Sequence, residues 1–351
     1  MTRYVPCVLL LMSFLAAGAG SATAQTCDRA CLRTMLDQYL AAVVKHDPSA
    51  APLVVGYRHT ENAINKKLGD GVWKSVTGLG KMQRRYFDPV TGQAAYYGLV
   101  DEGSNPAVVT IRIRVENRRI TEGEWYVARA DDPGLNGPRQ PGRPPANLHN
   151  PEYLTANPPP DRVVPRDQRA DRDTLVRIVN SYFDAITSHD GTVALTHAGC
   201  GRVENGTPAP AGRFLPPAPR GGGPGAAPAA TPATPAAPSA TPPPGPASND
   251  CVGGLQNFNL SMVVARRIPL VDEEAQIALA YAVFIRRPGS PTPRNAFSEW
   301  FVIDEAKIRT IYTAMFYPPA ELAVPNWPPF DGNWPLPAST VPAPAAPATR
   351  P

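Results

Sequence analysis

The chain contains its own copy. Leu36-Asp37-Gln38-Tyr39 lies over Val179-Asn180-Ser181-Tyr182, a displacement of 143 positions. The same displacement brings Ala42 onto Ala185, His46-Asp47 onto His189-Asp190 and Glu61-Asn62 onto Glu204-Asn205, with no gap. A domain-length repeat constrains the fold more than any local pattern, because each copy must bury its own apolar face. Later matches extend the copy: Tyr86-Phe87-Asp88 resembles Leu270-Val271-Asp272, and 115–120 resembles 303–308.

Both copies open on a helical period. Leu32, Met35, Leu36, Tyr39, Leu40 and Val43 share one face; Leu175, Ile178, Val179, Tyr182, Phe183 and Ile186 do the same in the second copy. The period then drops to two. Val109, Ile111, Ile113 and Val115 alternate with Thr110, Arg112, Arg114 and Glu116, which predicts a half-buried strand. Asn117-Arg118 forms a two-residue turn, and the chain returns from Ile120. Segments 283–285, 299–304 and 308–316 make the corresponding strands of the second copy. Helices ahead of a run of antiparallel strands predict an α+β fold of two tandem units.

Proline draws the boundaries. The chain has 44 prolines in 351 residues, concentrated in 133–165, 208–248 and 318–351. The last two stretches are too poor in large apolar residues to offset chain entropy, so a disordered Pro/Ala-rich insert and tail are expected. The first is short enough to pack as a connector. The resulting domains are 25–132, a connector 133–165, 166–318 with the insert 208–248, and a tail 319–351. Residues 1–24 read as a signal peptide: charged start, apolar 8–19, and Ala22-Thr23-Ala24 before Gln25. The apolar run is too short to span a membrane, no later segment is long and apolar enough, and export to a periplasm or the exterior is expected.

Five cysteines are present, and Cys7 leaves with the leader. Cys27, Cys31, Cys200 and Cys251 allow three disulfide connectivities. Cys27 and Cys31 are close enough to pair locally, which would leave Cys200 with Cys251, a bridge contributing roughly 3–4 kcal/mol on the chain-entropy model. No spacing matches a metal site. The net charge of +4 is scattered, with no basic run carrying aromatics, so nucleic acid is not an expected partner.

The helix with Tyr39, Ala42 and Asp47, the Glu61-Asn62 strand end, Trp73 on a short helix and the hairpin "VENRRI" resemble the nuclear-transport-factor-2-like (SnoaL-like) family. The start "CDRACL", the "TEN" and "RVENG" marks and the tandem arrangement resemble secreted two-repeat proteins of bacteria and fungi carrying an uncharacterised domain of that kind. The resemblance implies two cone-shaped units, each a curved antiparallel sheet around helices. It implies the sheets packed together as an intrachain pseudo-dimer, and hence a monomer. The fold hosts cofactor-free enzymes and non-enzymatic binders alike.

Several residues are candidates for chemistry. Glu122 and Glu124 are two apart on a strand and share a face. With Asn117-Arg118 as the turn, Ile113 opposes Glu122 and Ile111 opposes Glu124, which puts both carboxylates in an apolar cavity able to hold one protonated. A one-residue shift would put them against Arg112 in solvent. Glu61 and His59 form a second acid–base candidate, although His59 aligns with Arg202. Trp73, Trp125, Asn62, Glu204, Asn205 and Tyr312 are candidate pocket residues; the rival reading of Glu61-Asn62 and Glu204-Asn205 is turn capping. His46-Asp47 and His189-Asp190 read as helix termination, Asp88 and Asp272 as turn starts. Two functions follow: binding of a small organic or sugar-like ligand, the preferred reading, or a cofactor-free lyase, isomerase or hydrolase in the first copy.

Overall fold

The computed structural model describes residues 27–138, 140–142, 147–209 and 250–318. The expected leader, residues 210–248 of the expected insert and the tail from 319 lie outside the described residues.

Helix α1 (Arg29–Val44) starts at Asp28, whose carboxylate accepts from Cys31 N at 2.8 Å. Helix α4 (Arg172–Ser188) starts on Asp171, which accepts from Thr174 N. Satisfying these free N–H groups fixes where each helix begins. The apolar stripes predicted from the sequence are buried in both helices, apart from Met35, which is half-buried. His46 and His189 then take left-handed backbone (φ 56° and 59°) and stop the helices. Asp47 and Asp190 cap the single 3-10 turns that follow, accepting from Ser49 N and Thr192 N. The His-Asp pairs are therefore helix terminators, as read from the sequence.

In the first unit β1 (Leu53–Glu61), β2 (Ile64–Lys66), the short helix α2 (Val72–Ser75), β3 (Gly78–Asp88), β4 (Gln93–Glu102), β5 (Asn105–Glu116) and β6 (Arg119–Ala128) follow α1. The connector holds α3 (Pro151–Ala156). After α4, the second unit has β7 (Thr196–Glu204), β8 (Thr207–Pro208), β9 (Met262–Asp272), β10 (Ile277–Ile285), β11 (Arg294–Asp304) and β12 (Lys307–Phe316). Pro208, assigned from the sequence to the insert, belongs to β8. The sheet orders are β2-β1-β6-β5-β4-β3 and β8-β7-β12-β11-β10-β9, the same topology twice.

The sheets are mixed, which corrects the antiparallel expectation. The last four strands of each unit form a hairpin meander, but β1 joins β6, and β7 joins β12, in parallel. These first strands arrive from a helix rather than from a hairpin, so nothing forces them to run antiparallel.

The inner face of each sheet packs on its own helix and forms one core per unit. The outer faces pack on each other and form a third core, with Tyr86, Tyr97 and Tyr126 of the first unit against Leu270, Tyr281 and Trp300 of the second. Tyr126 and Tyr281 stack at 5.1 Å between centroids. Thr110 Oγ1 is shared by Ser298 Oγ and Trp300 Nε1, each at 2.8 Å.

A reciprocal clamp crosses this junction. Arg29 donates to both oxygens of Asp272 at 2.8 and 2.9 Å, and Arg172, its counterpart 143 positions on, makes the same fork to Asp88. Asp272 also accepts from Phe87 N at 2.9 Å, and Asp88 from Val271 N at 3.0 Å. Both carboxylates do start turns, Asp88 through Val90 N and Asp272 through Ala275 N. Each additionally holds the other unit.

The disulfides are Cys27–Cys31 and Cys200–Cys251. The second staples the two sides of residues 210–249: Ala209 N donates to Arg202 O, and Cys251 N to Cys200 O. Among the described residues no helix is long and apolar enough to cross a membrane.

Candidate functional site

The Asn of the repeated Glu-Asn has a structural role that both copies share. Asn62 sits in left-handed backbone at φ 51°, and Asn205 at φ 47°. Asn62 accepts from Val127 N at 2.8 Å and donates to Val127 O at 3.1 Å. Asn205 does the same to Met315, at 2.7 and 3.3 Å. Each side-chain amide thus imitates a strand partner just where β1 or β7 has ended. Glu61 caps the short helix of the first unit: its Oε2 accepts from Val72 N at 3.0 Å, and Arg129 holds its Oε1 at 3.1 Å.

Glu122 and Glu124 do not line the inner face. Val115 pairs with Ile120, but Arg114 pairs with Glu122 and Arg112 with Glu124, because Thr121 is an extra residue in the ladder. This bulge flips every later side chain of β6 to the opposite face. The carboxylates reach the junction between the sheets, neither an apolar cavity nor open solvent. Arg112 contacts both, at 2.8 and 2.9 Å, Arg58 contacts Glu122 at 2.8 Å, and Arg267 of the second unit contacts Glu124 at 2.5 Å. Burial alone would raise the Glu122 carboxyl, but Arg112 and Arg58 outweigh it and hold it down at about 2. At neutral pH Glu122 is ionised and engaged, a poor proton shuttle.

The bulge turns Trp125 inward. Its Nε1 donates to Tyr39 Oη at 2.9 Å, and Tyr39 shares a 2.8 Å hydrogen bond with Tyr57. Trp73 meets Tyr39 edge-on at 5.5 Å, and its carbonyl accepts from His46 Nδ1 at 2.7 Å. His59 stacks on Tyr57 at 6.3 Å and is pushed down to about 4 by burial, which disfavours the imidazolium. The two tyrosine hydroxyls fill the space that a Cβ at Gly123 would need. The inner core of the first unit is thus a filled aromatic box with a neutral imidazole. His59 and Glu61 do not form an acid–base pair, since Glu61 is held by α2 and Arg129. Tyr312 lies on the outer face, edge-on to Tyr97 at 6.0 Å.

The second inner core differs in its charges. The position of His59 carries Arg202, and the position of Ile111 carries Glu299, counting from the β5–β6 and β11–β12 turns. Arg202 and Glu204 are two apart on β7 and pair at 2.9 Å, while Arg202 Nη2 reaches Glu299 Oε1 at 3.3 Å. Tyr317 Oη donates to Glu204 Oε1 at 2.6 Å. Glu299 is 0 % exposed, and its Oε2 has no hydrogen-bond partner among the described residues. Burial pushes its carboxyl up, Arg202 offsets this in part, and the nearby Glu204 charge adds to it, leaving Glu299 at about 7.

Arg202 and Glu204 line a cavity of about 10 Å³ with Leu135, Phe258, Phe284, Arg286, Met315 and Tyr317. A space of that size suits one water-sized group. Sequence reasoning reached Glu204 and passed over Glu299, Arg202 and Tyr317. The signal was available in the repeat itself, where aligned inner positions change from imidazole and isoleucine to guanidinium and carboxylate. Among the described residues no group of three His, Cys, Asp or Glu side chains is placed to hold a metal ion.

A profile of a domain of unknown function (DUF8021) matches residues 168–315, which is the second unit. Comparison with curated proteins finds no significant match.

Proposed function

We propose that this chain is an exported, monomeric binding protein whose ligand site is the charged inner end of the second unit. The reading takes each unit as a nuclear-transport-factor-2-like cone. The two disulfides and the leader-like 1–24 support export, and the burial of both outer faces against each other supports a monomer. The ligand is a small organic or sugar-like molecule that presents a hydrogen-bond donor. One observation carries this: Glu299 Oε2 is fully buried and has no hydrogen-bond partner among the described residues, while Arg202, which contacts the other oxygen of Glu299, lines a small cavity. An unmatched buried acceptor costs about 1–3 kcal/mol, which a donor on the ligand would recover.

Isothermal titration of the mature chain against monosaccharides, polyols and small phenols tests the assignment, with Glu299→Leu as the control. Hits should weaken at least tenfold in the variant. Hits that bind the variant equally well would remove Glu299 from the site and the proposal with it.

A second reading is cofactor-free acid–base catalysis, and it moves from the first unit to the second. Its support is the Glu299 carboxyl at about 7, in the range where one group can both accept and deliver a proton at neutral pH. Turnover of a bound hit that is lost in Glu299→Gln would favour it over simple binding.

A further inference from the structure

One end of the first sheet carries two aliphatic tips among cations. Strand β1 breaks its parallel ladder with β6 between Leu53, opposite Ile120, and Arg58, opposite Glu122. Residues 54–57 have only Thr121 across from them, so they loop out of the sheet. Gly56 takes φ 87° there, and Val55 is fully exposed. On the other side of β1, β2 runs antiparallel with Lys66 opposite His59, so Lys67 and Leu68 continue beside Arg58 toward the same bulge. Gly69 takes φ 88°, and Leu68 is half exposed. The β5–β6 turn at Asn117-Arg118 lies at this end too, where Arg119 Nη1 donates to Leu53 O at 3.4 Å. Neighbouring strands thus bring Val55, Leu68, Arg58, Lys66, Lys67, Arg118 and Arg119 to one edge.

The charge there is uneven. The acids of this edge are already matched: Lys74 holds Asp70, Arg114 holds Glu116, and Arg58 and Arg112 hold Glu122. Lys66, Lys67 and Arg118 are exposed, and their side chains make no hydrogen bond or ion pair among the described residues. The fold does not require this arrangement. In the second unit β7 breaks its ladder with β12 at the same place, and Gly199 keeps the left-handed bend at φ 74°. Yet 143 positions on, Val55 has become Ala198, Arg58 has become Gly201 and Lys66 has become Ala209. Arg118 has become Ala306, counting from the two hairpin turns. The bulge is kept while its valine and its cations are not.

We propose that this end of the first unit docks on an anionic phospholipid surface. Val55 and Leu68 enter the boundary between headgroups and acyl chains, while Arg58, Lys66, Lys67, Arg118 and Arg119 meet the lipid phosphates. Burying an exposed aliphatic side chain in that boundary is favourable, and each Lys or Arg close to an anionic leaflet adds to the attraction. A soluble polyanion would engage the cations but would give Val55 and Leu68 nothing. The docking face lies outside the ligand site of the second unit and does not rest on it.

The test is co-sedimentation of the full mature chain with vesicles of phosphatidylcholine alone and of phosphatidylcholine with phosphatidylglycerol in equal parts. Wild type should bind the anionic vesicles and not the neutral ones. Combining Lys66→Gln, Lys67→Gln and Arg118→Gln should weaken binding about tenfold or more, and Val55→Ser with Leu68→Ser about fivefold or more. The control combines Arg166→Gln, Arg287→Gln and Lys307→Gln, which removes the same charge from exposed positions on the connector and the second unit, and it should bind like wild type. Thermal unfolding checks that each variant is folded, and the charge variants carry the test if the serine pair is not. Equal losses in the two charge variants would reduce the effect to net charge and overturn the proposal. Undiminished binding by a folded serine pair, with dextran sulfate displacing the vesicles, would make this edge a polyanion site and overturn the membrane assignment. Sedimentation with neither vesicle, or equally with both, would overturn it as well.

Discussion

Glu299 ties the candidate site to a measurable dependence of stability on pH. Its carboxyl stands at about 7 in the folded chain against an ordinary 4.5. Between those values the unfolded chain has released its proton while the folded chain still holds it. Stability from this group is therefore complete below about pH 4.5, falls as pH rises, and levels off above 7. At about 1.4 kcal/mol per pH unit the loss amounts to about 3 kcal/mol. Glu299→Gln mimics the protonated form at every pH, keeps the side chain's shape and leaves Arg202 its partner Glu204. The variant should match wild type near pH 4.5 and exceed it by about 3 kcal/mol at pH 8. Urea unfolding followed by tryptophan fluorescence at half-unit steps gives both curves, and other titrating groups cancel in the difference. A difference that stays flat across the range would mean that Glu299 ionises normally. A wild type that gains on the variant as pH rises would mean that the Arg202 pair dominates. Either result would remove the uncompensated carboxyl on which the site rests.

Three further outcomes follow from the same geometry. Glu124→Leu should cost about 3–5 kcal/mol, since it takes the buried carboxylate from Arg267 and weakens the hold on buried Arg112, and adding Arg267→Met should recover much of the loss; a cost below about 1 kcal/mol by urea unfolding would put Glu124 in solvent. Asp88→Asn and Asp272→Asn should each destabilise by about 2 kcal/mol and to similar extents, because the two clamps are equivalent; a one-sided effect in thermal unfolding would refute the pseudo-twofold reading. Asn62→Ala and Asn205→Ala should speed hydrogen exchange at Val127 and Met315 and cost about 2 kcal/mol each, whereas unchanged exchange would show that water replaces the amide without penalty.

The tandem architecture was legible because a repeat is a comparison the chain makes with itself. Helical spacing at Leu32, Leu36, Tyr39 and Val43 placed α1, and the same spacing from Leu175 to Ile186 placed α4. The sequence leaves the face of β6 open between two registers because a bulge leaves no glycine or proline behind it. Its trace was the phase of the apolar residues. Ile120 and then Gly123, Trp125 and Val127 face inward, as do Ile308 and then Ile311, Thr313 and Met315, with a step of three between the first two in each strand. A strand of period two that slips by one residue at the same place in both copies carries a bulge there. The mixed sheet was hidden for another reason: a parallel partner far along the chain leaves no local mark in the strand that receives it.

The two copies use charge in opposite directions, and this is the strongest ground for placing function in the second. In the first unit, Arg112, Glu122 and Glu124 point outward into the junction, where Arg267 completes them, so their charges are matched across the interface. At these two positions the first inner core carries no ions: His59 is neutral, Ile111 is apolar, and Tyr39, Tyr57, Trp73 and Trp125 fill the space. That core shows what the fold requires at these positions. The second unit has the same strand order yet carries Arg202 and Glu299 there, and the fully buried Glu299 meets Arg202 through one oxygen only. Desolvating a carboxylate costs several kcal/mol, which one contact to Arg202 at 3.3 Å does not fully return. Packing gives no reason to accept that cost, since the first unit packs without it. A ligand donor that meets Glu299 does give one.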